Sequence, residues 1–175
     1  MGYTIRNATE SDIPVLVGII RNSFRDVAVR FGLTEENCPK HPSNCTSQWI
    51  EIALQKGVRY FILEWNAIPC GCVAMEQVRS RICYLERLAV LADYRCRGFG
   101  TALVDYALLW ALRAGTERVE IGIIADQEDL KKWYSRIGFV ETGRTVFQHL
   151  PFEVLFMAKT LIPATEVTAA SGTPS

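Results

Sequence analysis

The sequence predicts a single mixed α/β domain, and three observations carry that expectation. Two apolar runs, Arg59 to Trp65 and Cys70 to Val78, are joined around Asn66-Ala67-Ile68-Pro69 at hairpin spacing, and a third alternating run follows at Ile82 to Val90. That third run leads through a glycine-rich turn into an apolar helix and then a second apolar strand, which is a crossover unit with parallel strands. With 175 residues, 49% hydrophobic and 22% charged, the chain has apolar side chains for one core and no room for a second full domain.

Each element follows in chain order. Tyr3-Thr4-Ile5-Arg6 alternates as a strand, and Thr9-x-x-Asp12 resembles a capping box opening a helix to about Val29, with Pro14 near its first turn. Gly32, Pro39 and Pro42 make residues 31 to 46 a loop. Ser47 to Lys56 reads as a second helix ended by Gly57. From Thr101 to Ala114, 11 of 14 residues are apolar, the pattern of a helix buried almost all round. Gly115 stops it, Val119 to Ile124 is a strand apolar on both faces, and Glu128 to Ile137 is a helix ended by Gly138. Phe139 to Thr142 and Val154 to Leu161 supply further strands, with Arg144 to Phe152 unassigned between them. The domain is placed at residues 1–162. The remainder, 163–175, is small, polar and without aromatics, the composition of a disordered tail.

Nineteen basic residues balance nineteen acidic ones, so no global field recruits nucleic acid or an anionic membrane, and neither is expected as a partner. No uncharged apolar stretch approaches the roughly 18 residues that a membrane span requires. The first ten residues lack a basic segment followed by an apolar core, and six cysteines are few for a disulfide scaffold. A cytoplasmic protein with reduced thiols is expected. The neutrality conceals a local imbalance: residues 79 to 97 hold Arg79, Arg81, Arg87, Arg95 and Arg97 against Glu86 and Asp93, an excess of three.

That excess adjoins the turn Arg95-Cys96-Arg97-Gly98-Phe99-Gly100-Thr101. Glycines at a helix start expose backbone N–H groups without intrahelical partners at the positive end of the helix dipole, a ready anion site. A P-loop would need Gly-Lys-Ser/Thr, which is absent, and a dinucleotide fingerprint would need Gly or Ala where Leu103 stands. The spelling Arg95-x-x-Gly98-x-Gly100, preceded by Leu88-Ala89-Val90 and Asp93-Tyr94, resembles instead the GCN5-related N-acetyltransferase (GNAT) superfamily. Trp133-Tyr134-Ser135-Arg136-Ile137-Gly138-Phe139 is similar to that family's Tyr-x-x-x-Gly-Phe segment. The resemblance implies a mostly antiparallel sheet with a splayed parallel pair, about four flanking helices, and acetyl-CoA lying in the splay. It implies phosphate contacts at Arg95, Cys96, Arg97, Gly98, Phe99, Gly100 and Thr101, and pantetheine contacts along Leu88, Ala89 and Val90. Gln127 stands where the family often has Asn, and is carried as a cofactor contact.

Moving an acetyl group from a thioester to an amine needs a neutral amine, a donor to the developing oxyanion and a proton for the departing thiolate. Tyr134 remains protonated at neutral pH and matches the family's acid. Strict alternation over 82 to 90 puts Tyr84, Glu86, Leu88 and Val90 on one face and Cys83, Leu85, Arg87 and Ala89 on the other. Glu86, a carboxylate in a half-apolar cleft, is the expected base, with water or a salt-bridge role for Glu86 left open.

Cys38-x-x-His41-x-x-x-Cys45 and Cys70-x-Cys72 contain metal-ligand residue types at spacings that fit no common zinc pattern, so no metal is expected. The loop 31–46 and His149-Leu150-Pro151-Phe152 border the acceptor in this family. They make His41 and His149 candidate substrate contacts, with ordinary surface histidines as the plainer expectation. Trp49, Trp110 and Trp133 are expected to pack against their neighbours. The function expected is acetyl-CoA-dependent N-acetylation of a primary amine, of a small molecule because no acidic stripe for a basic peptide is visible. Direct attack in a ternary complex is the expected route. The alternatives are a non-catalytic acyl-CoA-binding or sensing module, or an enzyme using another acyl-CoA. Edge strands near 139 to 161 leave a homodimer open.

Overall fold

The computed structural model describes Gly2 to Leu161; residue 162 and the expected tail at 163–175 lie outside the described residues. Seven strands form one sheet in the order β1-β2-β3-β4-β5-β7-β6, numbered along the chain. They are β1 (Tyr3–Asn7), β2 (Arg59–Trp65), β3 (Ile68–Arg79), β4 (Ile82–Val90), β5 (Arg118–Ile124), β6 (Val140–Val146) and β7 (Glu153–Thr160). The helices are α1 (Ile13–Phe31), α2 (Ser47–Gln55), α3 (Phe99–Arg113) and α4 (Glu128–Arg136). Only β4 and β5 pair in parallel, across the α3 crossover; every other neighbouring pair is antiparallel.

Alternation along the strands builds two apolar layers. Phe61 and Leu63 of β2 and Val73 and Met75 of β3 face α3, together with Leu103, Val104, Ala107 and Ala111. Tyr60, Ile62, Cys72 and Ala74 face the other way, onto Leu16 and Ile20 of α1 and Ile50 of α2. Helix α3 is buried along one side rather than all round, with Leu109 46% exposed. It lies close to the sheet because Gly71 presents no side chain there: a Cβ at that position would meet Leu103 Cδ1 at 3.0 Å and the Ala89 carbonyl oxygen at 3.1 Å.

Two boundaries differ from the sequence expectation. The β2–β3 hairpin turns on two residues, Asn66 and Ala67, both with positive φ (50° and 64°), the form that matches strand twist. Pro69 therefore falls inside β3, where a register shift at Leu63/Glu64 accommodates it. Strand β6 continues to Val146 because it pairs with β7 down to Glu153, so its length is set by a partner rather than by its own weakly apolar sequence. At the start of α1, Asp12 accepts from the Thr9 N–H at 2.8 Å and from both Arg6 terminal nitrogens at 2.8 and 2.9 Å, while Arg6 Nε reaches Glu64 at 2.9 Å. One guanidinium thus ties β1, β2 and the entry to α1.

Two outcomes follow. Gly71→Ala overpacks the α3 contact and is expected to lower stability by about 1 to 3 kcal/mol in urea unfolding. The hydrogen bonds from Arg6 hold the Asp12 carboxyl down at about 2, below its ordinary 3.8. A folded pKa below the unfolded one makes this stabilisation present above the ordinary value and lost as pH falls through about 2. Asp12→Asn should cost about 1 to 2 kcal/mol at neutral pH, with the gap to the parent protein closing under acid.

Candidate active site

The cleft originates where β4 and β5 part. They pair only at Ile82/Arg118, Cys83/Val119 and Tyr84/Glu120, while β5 remains bonded to β7 along its whole length. Beyond Tyr84 the inner edges of both strands lack a strand partner. A β-bulge drives the divergence: β3 advances from Cys72 to Ala74 while β4 advances from Ala89 to Glu86, and Arg87 takes a positive φ of 52°.

This bulge corrects the expected alternation. Cys83 and Leu85 belong to the α3-side core, yet so do Leu88 and Val90, while Ala89 joins the α1-side core. One extra residue reverses the parity, so Tyr84 and Glu86 lie on the opposite face from Leu88 and Val90. Arg87 and Leu88 have no partner on β3.

At one end of the cleft is the glycine turn. Cys96 and Gly98 adopt left-handed backbone (φ 61° and 80°), and α3 begins at Phe99. Among the described residues, none of the backbone N–H groups from Cys96 to Thr101 has a backbone acceptor; the first such bond is Ala102 N to Gly98 O. Space over Gly98 is open, and Gly100 lies against the Trp133 ring edge, 3.5 Å from where its Cβ would be. Six unpaired donors at the positive end of a 15-residue helix fit a pyrophosphate. A cavity of about 560 Å³ runs from this turn past Leu88, Ala89 and Val90 to Gln127, Leu130 and Trp133, and α1 closes it through Ser23, Phe24, Asp26 and Val27. Trp133 therefore packs and lines the cleft at once.

The arginines are arranged differently from the local excess in the sequence. Arg79 and Arg81 lie at the β3–β4 turn, the far end of a nine-residue strand, roughly 25 to 30 Å from the glycine turn. Arg81 is paired there with Glu117. Arg95 is a staple: it donates to Val90 O at 3.0 Å, to Ser23 O at 2.8 Å and to Asp26 at 2.6 Å, joining the turn to α1. Arg97 is exposed over the Tyr94 ring. Among the described residues, Ser23 Oγ is the one side-chain oxygen or nitrogen that is itself wholly shielded from solvent and without a hydrogen-bond partner.

A second cavity, about 350 Å³, continues from the first through Phe24, Val27, Leu88, Gln127 and Leu130 and reaches Glu86, Arg87, Tyr134 and the loop residues Lys40, His41 and Pro42. The Tyr134 ring is 4% exposed between Trp133 and Phe139, with centroids 4.9 and 5.3 Å away. Its hydroxyl has no hydrogen-bond partner among the described residues, and burial raises its pKa, so it is protonated at neutral pH. Burial also raises the Glu86 carboxyl above the usual range, with Arg87 opposing the shift and Glu76 adding to it. A protonated phenol and a basic carboxylate facing one cavity can supply and take up protons on either side of an acyl transfer.

The expected surface histidine is corrected at position 41. His41 is 6% exposed, caps the turn Pro42–Asn44 by accepting from Ser43 N, and lies edge-on to Phe24 at 5.9 Å. Burial lowers its pKa and keeps it neutral. His149 is exposed beside Phe147, outside both cavities, whereas Phe152 and Val154 line the acceptor end. Cys38 packs with Leu33 and Ile124, and Cys45 with the α1–α2 core. Trp49 carries two cations, Lys40 and Arg87. The α1 residues that wall the cleft carry no sequence signal beyond helical periodicity.

The family model described as Acetyltransferase (GNAT) family matches residues 24–139, more than half of the chain. An uncharacterized N-acetyltransferase of Methanocaldococcus jannaschii is 27% identical over 146 residues, 79% of this chain and 61% of that protein, so the chain spans about three fifths of its relative's length. Among solved structures, the PaiA N-acetyltransferase of Thermoplasma acidophilum in complex with coenzyme A has a TM-score of 0.75 at 15% identity, covering 92% of this chain and all of that one. YncA of Salmonella typhimurium, solved with its cofactor acetyl-CoA, has a TM-score of 0.71 at 17% identity, covering 100% and 99%. At these identities the likeness is one of fold.

The staple yields a prediction with opposed outcomes. If Arg95 acts by holding α1 to the turn, Asp26→Ala and Arg95→Ala should weaken acetyl-CoA binding in calorimetry by a similar factor, about tenfold. If Arg95 binds phosphate directly, Asp26→Ala should leave affinity unchanged or raise it.

Proposed function

The chain belongs to the acetyltransferase (GNAT) family, and on that premise we propose that it is an N-acetyltransferase moving the acetyl group of acetyl-CoA to a primary amine of a small molecule. The observation that carries the reading is the continuity of the two cavities: a phosphate-type turn at one end, Tyr134 and Glu86 at the other, and the parted β4 and β5 between. The relatives solved with coenzyme A or acetyl-CoA support the choice of cosubstrate.

In this reading the N–H groups of Cys96 to Thr101 hold the pyrophosphate, and the Arg95 staple keeps α1 over it. Leu88, Ala89 and Val90 run beside the pantetheine arm, and Gln127 borders it. The backbone N–H groups of the bulge at Arg87 and Leu88, residues without a register partner on β3, serve as donors to the developing oxyanion. The acceptor amine loses its proton to Glu86, directly or through water, and its nitrogen lone pair attacks the thioester carbonyl. The new C–N bond forms, the C–S bond breaks, and Tyr134 gives its proton to the departing sulfur; the nitrogen sheds its remaining extra proton to solvent, and Tyr134 regains one from solvent. The free cysteines among the described residues support a reducing, cytoplasmic setting.

Thiol release with a panel of amines tests the reading; acetyl-CoA binding without release from any amine would favour a sensing module instead. Tyr134→Phe should lower kcat by about 10²- to 10⁴-fold while leaving acetyl-CoA affinity within about threefold. Because a base works deprotonated, the rate should rise with pH through a pKa above the ordinary carboxylate range. Glu86→Gln should remove that limb, and an unchanged pH profile would exclude Glu86 as the base.

A further inference from the structure

The acceptor end of the cleft contains charges that acetyl transfer itself does not require. Lys40, from the loop after α1, and Arg87, from the β4 bulge, both line it beside Glu86. Lys40 Nζ lies 5.4 Å and Arg87 Cζ 5.6 Å from the centroid of the same ring, Trp49. Among the described residues neither cation forms a salt bridge. The hydrogen bond Arg87 makes is to Cys45 Sγ at 3.9 Å, a weak acceptor, and Arg21 of α1 comes to the same corner, donating to the Cys45 carbonyl at 3.0 Å.

This is an unusual way to keep an arginine. Arg87 is half-buried and held in left-handed backbone, a conformation that costs a non-glycine residue and persists at sites of function. A partly desolvated guanidinium normally has a carboxylate beside it. Glu86 is adjacent in sequence and near enough for the guanidinium to oppose its pKa rise, yet no ion pair forms between them: Arg87 reaches over Trp49 to Cys45 instead. An aromatic face compensates a cation only in part, and a second and third positive charge nearby add repulsion. A bound anion in the cavity would satisfy the two that line it, Lys40 and Arg87. The cavity therefore has one carboxylate, Glu86, and two cations without a salt bridge, Lys40 and Arg87, in its lining.

We propose that the acceptor is a small zwitterion, a primary amine that also bears an anionic group, carboxylate or phosphate, held by Lys40 and Arg87 while its amine faces Glu86. This rests on the N-acetyltransferase reading and deepens it. A cavity of about 350 Å³ suits a molecule of amino-acid or aminoalkyl-phosphate size. Lys40 and Arg87 are then specificity-determining residues, and Trp49 is the surface that fixes their heads.

The test is a set of matched acceptors assayed by thiol release: amino acids against their amides, and aminoalkyl phosphates against the corresponding amino alcohols. The expected result is at least a tenfold higher kcat/KM for the anionic member of one pair, which also tells carboxylate from phosphate. Lys40→Met and Arg87→Gln should each bring that ratio toward one, chiefly through KM, and Arg87→Lys should restore part of it. Acetyl-CoA binding by calorimetry reports whether each variant is folded, and Lys40, on an exposed loop, serves if Arg87→Gln is not. Equal or better turnover of the neutral members, or a ratio unmoved in folded variants, overturns the proposal and leaves the acetyltransferase reading intact. Absence of release from every amine overturns that reading instead. Calorimetric titration of the acetyl-CoA-loaded protein with the same pairs then decides the anion site, and equal affinity for charged and neutral members rejects it.

Discussion

Everything at the site depends on two parallel strands that pair for three residues and then separate. The sheet elsewhere is closed: β5 is bonded to β7 over its whole length, and β3 holds β4 on its other side. The bulge at Arg87 inserts a residue just beyond the last β4–β5 pair, a device that bends and twists a strand, and past it the inner edges have no strand partner. Unpaired backbone inside a sheet is costly unless something polar meets it, and in the proposed function the amides and carbonyls of the pantetheine arm meet it. The same bulge reverses which residues face which layer. Leu88 and Val90 are thereby committed to the α3 side while Glu86 remains on the other.

The second wall is α1, and its position is secured electrostatically at its entry and again along its length. Arg6 ties its entry to Asp12 and Glu64, and Arg95 ties its middle, through Asp26 and the Ser23 carbonyl, to the glycine turn. Both clamps are partly exposed, so each contributes modestly to stability. Their larger effect is geometric, because they hold Phe24 and Val27 over the cleft where the two cavities join. Charges with partners thus build the frame. The polar groups without strong partners, Tyr134, Glu86, Lys40, Arg87 and the N–H groups of the turn, are gathered inside it.

Much of this was legible in the chain. Strand β2 and strand β4 occur at the residues their alternation predicts, and the helix starts at Phe99 within two residues of expectation, because glycines and apolar periodicity act locally. Tyr134, Glu86, Gln127 and the glycine turn share one cleft as their motifs imply. What failed had a common cause. The five arginines of residues 79–97 read as one basic face, but an extended strand carries two of them to the opposite end of the sheet. Arg95 reads as a phosphate ligand, and nothing local announces its ion pair with Asp26, 69 residues away in sequence. His41 read as a surface group, but Phe24 and the loop cover it.

Local sequence set the order of elements, the glycine turn with its open N–H groups and the kinds of side chain available for chemistry. These are set by backbone preferences and hydrophobic period over short spans, which no distant contact can rewrite cheaply. The face on which Leu88 lies, the partner of Arg95 and the gathering of Lys40 and Arg87 on Trp49 depend on the assembled fold. A single extra residue in β4 reverses the direction of every side chain after it, and an ion pair forms with whichever charge the fold brings near, neither of which is encoded in the local pattern.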